Sequence, residues 1–426
     1  FHLIYHLNII YQSSRIHYSS FMYQKLSRLF FVTPLVLALT QCAQQPNIPE
    51  NSTAESGFQK NNVRKVITYD TPGRCSEIIS YSAPTRLLLT TNSVSKDISV
   101  LSVPDLSTGK ITPIDINPDK SGIQGIDTNG EPTSVAVHPH KNIALAAVNG
   151  LSSRIVAIDL NAAKSGKTKF ILDQEVGIHL DSIAISPNGK WVVIADEAEG
   201  SSSTAGAIHL MDISKLGTTD RLPVYKVPGL ASALSRPAGR VEPEFVSIDS
   251  NSRFAAIACQ DDNAIVIVPL SSSPRVSSVI KLPSGSLPDG VNLINYGKRI
   301  LLSIAEEGTD TVSIYMMDPT NLNQAPQLIT RMNVRALSGK GDRCDPEGVY
   351  MFRQSGKLYL AVAIERADRV LIMDISNPAT PRKVASIPVG SRPEGIIVQK
   401  QGGKTYVLTG DEGKPGKGEV SIIEIR

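Results

Sequence analysis

The chain has no surplus of charge once its first segment is set aside. Residues 1–41 contain no acid and only three basic residues, Arg15, Lys25 and Arg28, so the remainder balances 40 basic against 40 acidic side chains. A neutral chain offers no basic field for nucleic acid or for an anionic bilayer, and both are excluded as partners by charge. Histidine is scarce: beyond residue 41 only His138, His140, His179 and His209 remain. No Gly-x-Ser-x-Gly elbow and no His-Glu-x-x-His helix occurs, which removes the common serine hydrolase and zinc peptidase chemistries. Cysteine is sparse as well, with Cys42, Cys75, Cys259 and Cys344 only. A disulfide-dense scaffold is therefore excluded. The apolar run at 29–39 is too short to span a bilayer comfortably.

What the chain has is a repeated phrase. It reads Glu131-Pro132-Thr133-Ser134-Val135, Leu180-Asp181-Ser182-Ile183, Glu242-Pro243-Glu244-Phe245-Val246, Leu287-Pro288-Asp289-Gly290-Val291, Asp345-Pro346-Glu347-Gly348-Val349 and Arg392-Pro393-Glu394-Gly395-Ile396, with a degenerate first copy at Cys75-Ser76-Glu77-Ile78. Copies recur about every 53 residues, and each opens a unit of short apolar strands and turns. Seven such units predict an all-β chain, a seven-bladed β-propeller of four-stranded antiparallel blades. In the unit from Asp345 the strands are expected at 348–352, 358–364, 369–373 and 382–387. The last unit runs out after three strands. The orphan strand at 63–69 is expected to close the ring as the outer strand of the last blade, removing the exposed edges. A second landmark, apolar-Asp-apolar at Asp159, Asp212 and Asp374, is expected to form turns through Asp side chains bonded to nearby backbone N–H groups.

The domain plan is 1–41 as upstream extension and signal, 42–60 as a lipid-anchor Cys and flexible polar tether, and 61–426 as the propeller. Met22 is the first methionine, and residues 1–21 read as upstream of the true start. Lys25 and Arg28, the apolar run and Thr40-Gln41-Cys42 follow the order of a secretory signal. The segment resembles a bacterial lipoprotein signal. Leu39 and Thr40 suit that pattern, while Gln41 departs from it because a small residue usually precedes the Cys. The resemblance implies lipidation of Cys42, and an exported protein at the periplasm or outer membrane that meets membrane only through its lipid. In an oxidising compartment Cys75 and Cys344, each following an Arg just before a repeat acid, are expected to pair as a disulfide. Cys259, inside an apolar strand, reads as a small core residue.

In a propeller the entries to the inner strands and the second-to-third hairpins open on one face. Six carboxylates, Glu77, Asp181, Glu244, Asp289, Glu347 and Glu394, are thereby expected at the axial mouth. The second-strand exits at Glu197, Asp261, Glu307, Glu365 and Glu412 lie nearby, with Arg74, Arg240, Arg343, Arg366 and Arg392 as counter-charges. Two readings stay open. The acids hold a hard divalent cation, Ca²⁺ or Mg²⁺, in the axial channel. Or each pairs with a neighbouring backbone or Arg and ties the ring together. His179 beside Asp181 is the one histidine placed to act as a base. The Asp115, Asn117, Asp119 spacing imitates a calcium loop but lacks the turn Gly and the closing acid. Gly166-Lys167-Thr168 imitates the end of a phosphate loop without its partner Gly.

Residues 61–426 resemble the bacterial lactonase-like, YVTN-repeat seven-bladed propellers, and within them the exported choice-of-anchor, alkaline-phosphatase-like proteins. The residues that carry this are Glu242 to Val246 with Asp261-Asp262-Asn263-Ala264, Ser186-Pro187-Asn188-Gly189-Lys190 with Ala195-Asp196-Glu197, and Asp345 to Val349 with Ile364-Glu365-Arg366. The resemblance implies architecture more than chemistry. The expected function is a monomeric binding scaffold for a protein, small-molecule or glycan ligand. The alternative is a metal-dependent hydrolase of a lactone, ester or phosphoester, with Glu244, Glu347 and Glu394 holding the metal.

Overall fold

The computed structural model describes residues 62–120, 122–197, 206–237, 240–339 and 342–426. The signal, Cys42 and the tether lie outside these residues, as do parts of the expected insertions around 200–206, 230–241 and 335–343.

Seven antiparallel sheets make seven blades. Their inner strands are Ile79–Ser82, Glu131–Val137, Leu180–Ile185, Pro243–Ile248, Pro288–Tyr296, Pro346–Gln354 and Pro393–Gln401. Each inner strand packs against the inner strands before and after it, the seventh against the first, so the ring is closed. The sixth blade runs Pro346–Gln354, Lys357–Ile364, Arg369–Asp374 and Arg382–Pro388, close to expectation. In blade 7, Val63–Asp70 pairs with Lys417–Ile425, from Val63 against Ile425 to Asp70 against Glu419. The orphan strand is thus the outer strand of the last blade, as its isolation in the sequence predicted.

The second strands are buried along their whole length, as in Phe254–Cys259 and Leu87–Asn92. They read as continuous apolar runs because both faces are covered by neighbouring blades. Alternation then sends successive side chains to different cores. Ala255, Ile257 and Cys259 join the core shared with blade 3, while Phe254, Ala256 and Ala258 join the one shared with blade 5. There are seven such wedge-shaped cores, one per blade interface. Each fully buried Leu or Ile contributes about 1.5–3 kcal/mol.

The apolar-Asp-apolar landmark behaves as its chemistry requires. Asp159, Asp212 and Asp374 each accept a bond from the backbone N–H two residues on, at 2.9–3.0 Å, and the variant Asp318 does the same at 2.9 Å. Blade 1 departs from the plan. Its fourth strand shrinks to Thr112–Pro113, and Ile126–Asp127 pairs with the same third strand. Pro113 has no N–H to extend the ladder. The Asp115 spacing between these pieces is a turn, with Asn117 N donating to Asp115 Oδ1 at 3.0 Å.

The disulfide expectation is overturned. Cys75, Cys259 and Cys344 are all buried free thiols. Cys344 belongs to the core between blades 5 and 6, whereas Cys75 stands at the entry to blade 1 and donates to Glu77 Oε1 at 3.3 Å. Similar phrases put the two thiols in similar places on different blades, not next to each other.

The repeat phrase has a steric logic at its fourth position. A Cβ on Gly348 would lie 2.3 Å from the Glu394 carbonyl oxygen of the next blade, and one on Gly290 would lie 2.3 Å from that of Glu347. The neighbour there is backbone and cannot swing aside. Gly348→Val is expected to cost about 2 kcal/mol or more by overpacking this junction, measured as a lower denaturant midpoint. A variant as stable as the parent would contradict the tight inter-blade approach.

Candidate functional site

Each repeat phrase enters its blade through a local distortion. The residue leading into the inner strand is left-handed at Asn129, Leu287, Asp345 and Arg392, with φ of 49, 46, 45 and 55°. None is glycine, and such a conformation costs a non-glycine residue roughly 1 kcal/mol or more. The pairing to the second strand then slips by a bulge, between Leu180 and Ile183, Pro243 and Val246, Pro288 and Val291, Pro346 and Val349, and Pro393 and Ile396. The repeat acid is in the bulge every time. A bulge re-aims a side chain that regular pairing would hold in the sheet. The Pro before it has no N–H to leave unpaired.

The second tier is fixed by one bond repeated in five blades. The N–H after the second strand donates to a carbonyl at the inner-strand entry: Glu197 to His179, Gln260 to Glu242, Glu307 to Leu287, Glu365 to Asp345 and Glu412 to Arg392, at 2.9–3.2 Å. Each exit residue is thereby set beside the repeat acid of its own blade.

The six expected carboxylates do come together. Burial is the largest cause raising the affinity of Glu77, Asp181, Glu244, Glu347 and Glu394 for a proton, and neighbouring acids of the two tiers add to it. Glu77 is pushed up to about 7 despite donors from Ser93 and Cys75. Four others lie well above the usual carboxylate range. Their neighbours run round the ring: Asp181 feels Asp289 and Glu77, Glu244 feels Asp289 and Asp181, and Glu394 feels Glu77. Blade 2 alone has no acid here. Thr133 takes the position and donates to the Leu180 carbonyl at 2.9 Å.

The tightest grouping spans blades 5 and 6. Asp289, Glu307 and Glu347 offer carboxylate oxygens all within 4.8 Å of one another. Glu347 and Asp289 share a hydrogen bond, as do Glu394 and Glu412, so one member of each pair must carry a proton where no cation is present. Three converging carboxylates are a donor set for a hard oxygen-seeking cation. Glu307, which completes the triad, stood in the sequence only as one of several second-strand exits. Glu244 and Glu394 are not part of it.

The arginines correct the expectation that they neutralise the axial acids. Arg343 reaches Asp345 at 2.5 Å and Glu307 at 3.2 Å. Arg366 binds Asp345, and Arg392 binds Glu365 at 2.7 Å and also Glu412. They are drawn to the second tier and to the entry Asp345, because their stems lie on the same rim loops. Arg74 and Arg240 are exposed. His179 pairs with Glu197, Nδ1 to Oε1 at 2.9 Å, and its charge also acts on Asp181. His209, on a third strand, is buried against Asp196 at 2.9 Å and belongs to the interior of blade 3. His138 sits at a turn, its Nδ1 accepting the N–H groups of His140 and Lys141.

Residues 77–284, from the first repeat acid through blade 4, match the family described as Choice-of-anchor I domain. The curated proteins contain no significant match. Among solved structures, the chain is similar to Kuenenia stuttgartiensis hydrazine synthase (TM-score 0.58, 16% identity, 84% of this chain and 97% of that one). It is similar to the β-propeller domain of Myceliophteria thermophila Cps50 (Swd1) (0.59, 12%, 85% and 100%). It is also similar to the Pseudomonas aeruginosa periplasmic gluconolactonase PpgL (0.54, 13%, 74% and 86%). Identities this low establish the propeller fold and not an activity. The expected choice-of-anchor resemblance is borne out over residues 77–284, and the solved structures bear out the propeller fold.

The raised carboxylates carry a stability signature. For an acid whose affinity for protons is higher folded than unfolded, the folded state binds more protons between the two values, so stability falls as pH rises through that window. Glu77 and Asp411 titrate near 7 and Glu242 near 8 when folded. In chelator, the melting temperature is therefore expected to fall steadily from pH 5 to pH 8, and Glu77→Gln to flatten the slope. A melting temperature that rises over this range would show that the ring is not charged against itself.

Proposed function

We propose that the protein is an exported, lipid-anchored binding scaffold whose acidic mouth engages its ligand through a divalent cation, Ca²⁺ or Mg²⁺. The observation that carries this is the convergence of Asp289, Glu307 and Glu347 from two blades, while Arg366 and Arg392 are committed to other acids. Held by these carboxylates, such a cation would offset the mutual repulsion of the inner ring and could take further oxygen ligands from a glycan or a carboxylate. A choice-of-anchor domain fits a cell-surface or exported protein, and the lipoprotein-like Cys42 supplies the attachment. Long rim loops on a rigid ring are the usual place for recognition.

A second reading starts from His179, which stands at the mouth with its Nδ1 paired to Glu197 at 2.9 Å. In that reading Asp289, Glu307 and Glu347 would hold a metal able to polarise a lactone carbonyl or a water, and His179 would serve as the general base.

Calcium added to chelated protein is expected to raise the melting temperature by a few degrees, and Glu347→Gln to abolish the rise. The absence of any shift with Ca²⁺ or Mg²⁺ would dismiss the cation. Metal-dependent turnover of a lactone panel, lost in His179→Ala, would replace the scaffold reading with the hydrolase.

A further inference from the structure

The mouth face is not uniform. Blades 4–7 present acids and the arginines that hold them, while blades 1–3 present apolar side chains to solvent. Only five large apolar residues are exposed among the described residues, and three of them are here: Val94 at 57%, Leu151 fully, and Ile178 at 55%. Val94 is in the second-to-third hairpin of blade 1, Leu151 in the same hairpin of blade 2, and Ile178 at the entry to blade 3.

They form one continuous arc. Thr128 N and Oγ1 donate to the Lys96 carbonyl, which joins the Val94 hairpin to the entry of blade 2. Arg154 donates to the Thr128 and Asn129 carbonyls, which joins that entry to the Leu151 hairpin. Ser153 donates to the Ile178 carbonyl, which joins the Leu151 hairpin to blade 3. Blade 2 carries Thr133 and Gly150 where other blades carry acids, and the flanking blades carry Glu77 and Asp181. Glu77 accepts from Ser93 and Cys75, His179 lies beside Asp181, and further acids stand near both.

We propose that the mouth face over blades 1–3 docks an extended segment of a partner protein in which a lysine stands between apolar residues. The ammonium enters past Thr133 toward Glu77 and Asp181, and the apolar neighbours cover Val94, Leu151 and Ile178. Charge selects this occupant: the acidic mouth repels phosphates of nucleic acid and anionic headgroups, and it attracts a cation. The lysine stem matches the approach, being a slender apolar chain with the charge at its tip. Apolar anchors around a desolvated charge are the usual core of a binding hot spot. The proposal deepens the binding reading of this face, yet it uses blades 1–3 and not the Asp289 triad.

The test uses a fluorescein-labelled, capped pentapeptide with one lysine between two pairs of leucines, titrated with the full chain and followed by anisotropy. Saturable binding is expected, weakened about tenfold or more by Leu151→Ser with Ile178→Ser, by Asp181→Asn, and by glutamine in place of the probe's lysine. Both serine positions are exposed, and unchanged melting verifies their fold. Failure of the probe to bind, or binding indifferent to these changes, overturns the proposal. Self-association abolished by Leu151→Ser, without probe binding, overturns it in favour of a second copy of the chain. Glu347→Gln is expected to remove calcium stabilisation and spare probe binding, so the two readings fail separately.

Discussion

Everything at the mouth follows from the approach of seven inner strands to one axis. At that radius there is no room for side chains between neighbouring backbones, and glycine stands where the carbonyl of the next blade comes within 2.3 Å of a would-be Cβ. Pairing slips by a bulge at the entry of six inner strands, and the bulge carries an acid in five of them and Thr133 in blade 2, while Glu77 of blade 1 precedes its strand. The steric requirement of ring closure and the electrostatic character of the pore are thus one event in the chain, within three consecutive residues of each repeat.

The two demands oppose each other energetically. Apolar burial at seven interfaces holds the ring shut, while the carboxylates inside it repel one another and lose hydration. The arginines relieve the second tier and the entry acid Asp345, not the inner one. A fold that needed only stability would have put neutral residues at the axis, as blade 2 does with Thr133. Acids at six of seven positions are what the proposed site is argued from, since local cost of this kind is tolerated where a ligand offsets it.

Much of the architecture was legible in the sequence because a repeat reports its period directly. The phrase gave the blade count, the inner-strand positions and the ring-closing strand, and periodic apolar runs gave the second strands. The acids at the mouth were legible for the same reason. What was not legible depends on facing, not on period. The Arg-Cys phrases at Cys75 and Cys344 look like partners in one dimension, but equivalent positions on different blades are held apart by the ring itself. Arg392 stands two residues before one acid, Glu394, and is bonded to two others, Glu365 and Glu412, that arrive from separate hairpins. The Asp289, Glu307 and Glu347 triad joins three segments from two blades, and no local pattern marks it. The shortened fourth strand of blade 1 was signalled by Pro113, which lacks the donor a ladder needs.

The clasp between Val63–Asp70 and Lys417–Ile425 also dictates when this protein comes into being. Arg64 and Glu424, which bridge across it at 2.5 Å, are 360 positions apart in the chain. The earlier of these two strands has to wait for the later one to be made. Until then two unpaired edges stand open, and the contacts that reward their meeting are among the most distant the polypeptide possesses. Maturation is therefore all-or-nothing at its final step, and a message truncated even a single blade early yields an unclosed arc with no partial version of the pore.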